Sequence, residues 1–129
     1  VNSMKKVVGM TKVLIADDDF ISLEVLKAMF GQYDVEILTA TTGQEALTQA
    51  KEMPNLIFLD YEMPDMSGAE VCKTLRGKPE FENTPIIAIT SHQSASEMTA
   101  CREAGMDATL HKPVSPEALE ELFKEYVKS

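Results

Sequence analysis

Several features common in other classes of protein are scarce in this 129-residue sequence. Its two cysteines, Cys72 and Cys101, form no CxxC pair and have no histidine at zinc-ligand spacing, so we expect buried free thiols rather than a zinc site or a disulfide. No apolar run approaches the roughly 18 residues that cross a bilayer, and no signal peptide is visible. These absences predict a protein of the reducing cytoplasm.

Basic residues are also in the minority. Lysine and arginine number 12 against 21 aspartates and glutamates, which gives a formal net charge of -9. Nucleic acids and anionic membranes select basic surfaces, so this balance argues against either as a direct partner. The acidic excess favours solubility, and a clustered acidic site can contribute to it. The length suits one domain, and 44% hydrophobic residues suffice for one core.

Short apolar runs recur along the chain and predict strands. The runs "VLIA", "LIFL" and "IIAI" are continuously apolar rather than alternating, which is typical of parallel strands that are buried on both faces. The predicted strands are Val13–Ala16, Val35–Thr39, Leu56–Leu59, Ile86–Ile89 and Thr109–His111.

Amphipathic stretches between these runs predict helices. The first follows Asp19, and Gly31 stands where a glycine would cap its C-terminal end. Later helices begin near Ser67, Ser94 and Ser115, residues suited to the N-cap position. Strands that alternate with helices predict a (βα)5 fold, an open, doubly wound parallel sheet with helices on both faces.

The residues that end the predicted strands carry the chemistry. The first strand runs into Asp17, Asp18 and Asp19, while Asp60, Thr90-Ser91 and Lys112 end the third, fourth and fifth. Each alone has an ordinary explanation as a helix cap, a turn residue or a surface charge. Ligands of such sheets bind at the carboxyl ends of the strands. The occurrence of all these polar residues at one edge is therefore a much more specific indication of a functional site than any of them alone.

This combination is suited to phosphoryl transfer. Paired carboxylates without nearby histidine or cysteine favour Mg²⁺, which would keep Asp60 ionised and able to attack phosphorus. Lys112, the Thr90 hydroxyl and the following backbone N–H at Ser91 would stabilise the phosphoryl oxygens. A carboxylate nucleophile has no proton to lose, so no general base is needed.

These residues closely resemble the receiver domain of bacterial two-component response regulators. Asp60 follows Asp18 by 42 positions, Thr90 follows by a further 30 and Lys112 by a further 22. The flanking segments "LDYEMPDMSG", "PIIAIT" and "AGMDATLHKP" also match the family. The resemblance extends from about residue 12 to residue 126. It implies a flavodoxin-like sheet of order 2-1-3-4-5, a receiver domain over residues 10–129, and an N-terminal extension or remnant over residues 1–9.

The resemblance also implies roles for individual residues. Asp60 resembles the phosphoacceptor, which receives its phosphoryl group from a histidine kinase or a histidine phosphotransfer domain. Asp18 and Asp60 would bind Mg²⁺ directly, Asp17 largely through water, and Glu62 through its backbone carbonyl. The implied function is a phosphorylation-dependent switch that catalyses only its own phosphorylation and dephosphorylation.

Other residues of the implied site lie on the last two strands. Thr90 resembles the switch hydroxyl and Lys112 the family's lysine, followed by a Lys112-Pro113 bond that is often cis. Thr109 departs from the family, because a switch aromatic is common at that position. Asp19 falls outside the metal site and is expected to cap the first helix.

Alternatives remain open at this stage. A phosphatase of the haloacid dehalogenase type also uses Asp, Thr, Lys and Mg²⁺, but it needs an aspartate where Glu62 stands, a late acidic pair and room for a cap domain. A pseudo-receiver that only binds proteins is disfavoured by the intact Asp60, Thr90 and Lys112.

Glu62 and His92 are candidates for tuning acyl phosphate hydrolysis or are bystanders. His92 and His111 fall at strand ends, where a phosphodonor histidine is not expected. The downstream partner is an unidentified protein.

Overall fold

A computed structural model describes residues 11–91 and 94–126. The extension over residues 1–9 and His92 lie outside this range. The strands are β1 (Thr11–Ala16), β2 (Val35–Ala40), β3 (Leu56–Asp60), β4 (Ile86–Thr90) and β5 (Ala108–His111). They are parallel and form one sheet in the order β2-β1-β3-β4-β5, as the resemblance implies.

A helix follows each strand, and the helices cover both faces of the sheet. The helices are α1 (Phe20–Met29), α2 (Gly43–Gln49), α3 (Gly68–Arg76), α4 (Ala95–Ala104) and α5 (Pro116–Tyr126). Two core clusters fill the layers: one packs α1 and α5 on one face, and the other packs α2, α3 and α4 on the opposite face. No helix in the described part of the chain is long and apolar enough to span a membrane.

The three central strands explain the continuously apolar runs. In β1, Val13 and Ile15 belong to the cluster under α1 and α5, whereas Leu14 and Ala16 belong to the cluster under α2, α3 and α4. All four side chains are inaccessible to solvent. Since successive residues of a strand point to opposite faces, a strand covered on both sides needs apolar residues at every position.

The helix starts follow the sequence prediction closely. The side chains of Asp19, Ser67, Ser94 and Ser115 each accept a hydrogen bond from a backbone N–H in the first turn of the following helix. Gly105 adopts a left-handed conformation, with φ of 102°, after the end of α4. These caps fix where each chain segment leaves the strand edge and turns into its helix.

The prediction for Gly31 was wrong. Helix α1 ends at Met29, and Gly31 lies inside a 3₁₀ turn over Phe30–Gln32 rather than in a left-handed cap. Phe30 is buried and contacts Phe58 and Phe123 edge-on, with ring centroids 5.6 and 6.1 Å away. The tighter turn thus brings an aromatic ring into the core, a tertiary contact that helix-end signals do not report.

Candidate functional site

The carboxyl edge of the sheet brings the predicted polar residues together. Asp17 follows β1, Asp60 ends β3 and Thr90 ends β4, and all three are buried. Lys112 follows β5, where its backbone N–H donates to the Thr90 carbonyl over 2.9 Å. A cleft of about 220 Å³ opens at this point, lined by Asp18, Asp19, Asp60, Tyr61, Glu62, Thr90, Ser91 and Lys112.

Lys112 places a positive charge beside the buried carboxylates. Its Nζ lies 2.9 Å from Asp17 Oδ2 and 3.4 Å from Asp60 Oδ2. Burial alone would lower the pKa of Lys112, but the hydrogen bonds and charges of the two aspartates outweigh it and raise that pKa. The ammonium group is therefore held charged beside Asp60.

Asp60 has a strongly perturbed acidity. Burial raises its pKa, the charge of Asp17 adds to this, and Lys112 opposes both, so the pKa is raised to about 7. Without a further cation, a substantial fraction of Asp60 would be protonated near neutral pH. A perturbed carboxyl group in a polar cleft is a feature of functional sites.

The acidic cluster has the donor set of a site for a hard cation. Carboxylate oxygens of Asp17, Asp18 and Asp60 lie within 4.8 Å of one another. Asp17 Oδ1 accepts a hydrogen bond from the Asp19 N–H. Asp17 Oδ2 is buried, and the Lys112 ammonium lies 2.9 Å from it as an ion-pair partner. Three oxygen ligands fit a divalent cation such as Mg²⁺.

The structure separates Asp19 from these carboxylates. Its side chain accepts hydrogen bonds from the Ile21 N–H and the Ser22 hydroxyl at the start of α1, over 3.0 and 3.1 Å. Asp19 is therefore a helix cap, as predicted. Glu62 and Ser91 are exposed at the rim of the cleft, where they have room to reach a ligand. Their roles stay predictions.

A close backbone contact positions Asp60. A Cβ at Gly68 would lie 2.5 Å from the Asp60 carbonyl oxygen, so only glycine fits without movement of the backbone. The Gly68 N–H donates to the Tyr61 carbonyl, and the Tyr61 N–H donates to the Ile89 carbonyl, both over 2.8 Å. The loop after β3 is thereby folded tightly against the backbone of Asp60.

Two contacts at this edge were missed by the sequence analysis. The Thr90 hydroxyl donates to Glu97 Oε1 on α4 over 3.3 Å. Asp65 accepts hydrogen bonds from the N–H groups of Gly43 and Gln44, both over 2.8 Å, and these bonds lower its pKa. From the sequence, Glu97 is recognisable only as a carboxylate in the first turn of a helix. The Asp65 contact joins segments that are too far apart in the sequence for any local pattern to indicate it.

The remaining residues singled out in the sequence lie away from the cleft. Cys72 and Cys101 are buried free thiols, as predicted, and burial raises the pKa of Cys72 to about 11. His111 is exposed at the end of β5. Thr109 is half-buried and lines a groove of about 250 Å³ between α4 and β5. The Lys112-Pro113 bond is cis, as the resemblance implies.

Comparisons with known proteins agree on one family. The response regulator receiver domain matches residues 13–124. The chain is 32% identical over 120 residues to the polar-differentiation response regulator DivK of Brucella ovis, covering 92% of this chain and 98% of DivK. It is 33% identical over 115 residues to the histidine-protein kinase BarA of Escherichia coli; this match covers 88% of the chain but only 12% of BarA.

Solved structures share the fold. The chemotaxis protein CheY4 of Vibrio cholerae matches with a TM-score of 0.86 and 29% identity, over 92% of this chain and all of CheY4. The receiver domain of Ssk1 from Saccharomyces cerevisiae, crystallised with the histidine phosphotransfer protein Ypd1, matches with a TM-score of 0.83 and 28% identity, over 95% of this chain and 92% of that one. With the strand order and the polar edge described above, these matches establish that the chain belongs to the response regulator receiver domain family.

Proposed function

We propose that this receiver works in a phosphorelay by accepting a phosphoryl group on Asp60 from the phosphohistidine of a histidine kinase or a histidine phosphotransfer domain. An Asp60 oxygen forms a bond to phosphorus as the nitrogen–phosphorus bond breaks, and the departing imidazole takes one proton from solvent. The observation that carries the proposal is the position of Asp60, held at the cleft between two further aspartates and Lys112.

The neighbouring residues supply the charge and hydrogen bonds for this step. Lys112 Nζ, 3.4 Å from Asp60 Oδ2, would neutralise charge on the transferred group. The Thr90 hydroxyl and the Ser91 backbone N–H at the end of β4 would donate hydrogen bonds to its oxygens. A cation that already lies beside Asp60 before the reaction, as Lys112 does, stabilises developing charge without reorganisation.

We propose Mg²⁺ as the cofactor, held by Asp17, Asp18, Asp60 and the backbone carbonyl of Glu62. The bound cation would offset the repulsion among the carboxylates and the incoming phosphoryl group, and lower the pKa of Asp60. The proposal is supported by the all-oxygen donor set, since carboxylate oxygens of the three aspartates lie within 4.8 Å of one another.

We propose that the phosphorylated form is the signalling state and that it is ended by hydrolysis of the acyl phosphate in the same cleft. The exposed side chain of Glu62 lies at the rim, where it can influence the access of water. A phosphatase of the haloacid dehalogenase type is disfavoured, since the chain belongs to the receiver family and has Glu62 in place of the aspartate that such an enzyme needs. We place the domain over residues 10–129, in the cytoplasm, with a protein as its downstream partner.

The donor's docking surface is proposed on α1. The cleft continues past Asp19, Ser91 and Lys112 into a groove of about 450 Å³ that Ile21 and Val25 line. Ile21 is 71% exposed and Val25 48%, high values for apolar side chains. A partner that presents a phosphohistidine to Asp60 has to cover this rim, and the Ssk1 receiver's complex with Ypd1 supports a histidine phosphotransfer protein as such a partner.

Phosphorylation by a small donor tests the proposal without a partner. Incubation with acetyl phosphate and Mg²⁺ should add the mass of one phosphoryl group to the intact protein, measured under conditions that preserve acyl phosphates. Asp60→Asn should show no increase. An unchanged wild-type mass, or equal labelling of the variant, would refute Asp60 as the acceptor.

A further inference from the structure

Glu97 on α4 contacts the hydroxyl group of Thr90 at the cleft. Glu97, half-buried in the first turn of α4, accepts a hydrogen bond from Thr90, with 3.3 Å between Oε1 and Oγ1. Thr90 is 3% exposed at the end of β4. The contact therefore joins a residue of the proposed phosphoryl site to a helix that supplies none of the three clustered carboxylates.

The start of α3 shows what such a glutamate ordinarily does. Ser67 and Glu70 form a reciprocal capping box, in which each side chain accepts the other's backbone N–H, over 2.9 and 3.1 Å. In α4 the same S-x-x-E pattern occurs at Ser94 and Glu97, and Ser94 Oγ accepts the Glu97 N–H. Glu97 Oε1, however, accepts from Thr90. The side chain is thus directed to the site.

A phosphoryl group on Asp60 would place negative charge in the cleft that Thr90 also lines. The Thr90 hydroxyl has one proton to donate, so the phosphoryl oxygens and Glu97 would compete for it.

We propose that Glu97 is a positioning residue that acts through Thr90, holding its hydroxyl towards α4 until a phosphoryl group on Asp60 takes the hydrogen bond over. The inference rests on the proposed function of Asp60. Release of Glu97 would free the first turn of α4, so the state of Asp60 would be transmitted to a surface helix. This link requires no aromatic residue at the position that Thr109 occupies.

The first test uses the protein without metal or phosphoryl donor. Three-bond NMR couplings to the Thr90 methyl group report the rotamer of its side chain. In the wild type they should indicate one dominant rotamer. In Glu97→Ala they should indicate a changed rotamer population, whereas Glu97→Gln, which keeps an acceptor oxygen, should stay close to the wild type. Identical couplings in the wild type and Glu97→Ala would overturn the proposal.

The second test measures the affinity for beryllofluoride in saturating Mg²⁺ by calorimetry. Glu97→Ala should bind roughly three- to tenfold more tightly than the wild type, since one competing hydrogen bond is removed. The Thr90→Val variant lacks the hydroxyl but keeps the shape of the side chain. In that background, the increase in beryllofluoride affinity caused by Glu97→Ala should shrink to the increase expected from removing the glutamate's charge alone. Glu103→Ala, an exposed glutamate in the last turn of α4, is the matched control for that charge.

The outcomes separate the two proposals. Failure of the wild type to bind beryllofluoride would refute the proposed function and with it this inference. Binding by the wild type with no gain in Glu97→Ala would refute the role of Glu97 alone. That role would also be refuted if the gain persisted in full on the Thr90→Val background, or if Glu97→Gln gained as much affinity as Glu97→Ala.

Discussion

Among single residues, Asp60 combines burial, a like-charged neighbour and a lysine within 3.4 Å. Its pKa of about 7 in the folded protein exceeds the value of about 4 expected for an unfolded chain. The folded state therefore binds this proton more tightly, and the stability it contributes is present below pH ~4 and lost as the pH rises through ~7.

Replacement of Asp60 by asparagine should remove this loss of folding stability at higher pH. In metal-free buffer at pH 8 we expect Asp60→Asn to raise the free energy of unfolding by roughly 1–2 kcal/mol, a figure reduced for the screening that an open cleft permits. At pH 5 the difference should be much smaller. Urea unfolding with a chelator present measures both, and a variant no more stable than the wild type at pH 8 would contradict the electrostatic account.

Gly68 is the second residue on which the site depends. Gly68→Ala would place a methyl group 2.5 Å from the Asp60 carbonyl oxygen, a backbone atom that cannot move aside unless the chain shifts. We expect a loss of about 1–3 kcal/mol in stability and slower phosphorylation by acetyl phosphate. Gly31→Ala is the matched control, because its Cβ would meet nothing within 4 Å. Equal behaviour of the two variants would show that the close approach is unimportant.

At the scale of secondary-structure elements, α1 carries an apolar surface beside the cleft. Ile21→Ser combined with Val25→Ser should slow phosphorylation by a phosphorylated histidine phosphotransfer domain roughly tenfold, because partner contacts are lost. Phosphorylation by acetyl phosphate should not change, since that donor needs no docking surface. Ala28→Ser, also exposed on α1, serves as control. A parallel loss with both donors would locate the defect in the site.

The elements also show how far local patterns predict structure. All five strands were predicted to within two residues at either end. The three central strands were the clearest, because strands covered on both faces must be apolar throughout. The site residues could be grouped from the sequence because parallel strands end at one edge of the sheet; they are Asp17, Asp60, Thr90 and Lys112. The sequence could not predict the tight turn at Phe30 or the contact between Thr90 and Glu97, since each depends on which side chains tertiary packing brings together.

For the molecule as a whole, a bound cation should stabilise the fold. A ligand that binds only the folded state at ten times its Kd adds about 1.4 kcal/mol to the free energy of unfolding. Mg²⁺ should therefore raise the Tm of the wild type, and a chelator should reverse the shift. Asp18→Ala, which removes an exposed carboxylate of the cluster, should lose most of the response. The same Mg²⁺-dependent rise in both proteins would exclude Asp18 from the metal site.

Asp60 is proposed as the one aspartate that receives the phosphoryl group, so the decisive measurement is the position of that group in the phosphorylated protein. Reduction of the acyl phosphate with borohydride converts a phosphorylated aspartate to homoserine, which peptide mass spectrometry can assign to one position. After treatment with acetyl phosphate and Mg²⁺, we expect homoserine at position 60 and at no other aspartate. Homoserine at position 17 or 18, or its absence from position 60 in a phosphorylated sample, would contradict the proposal.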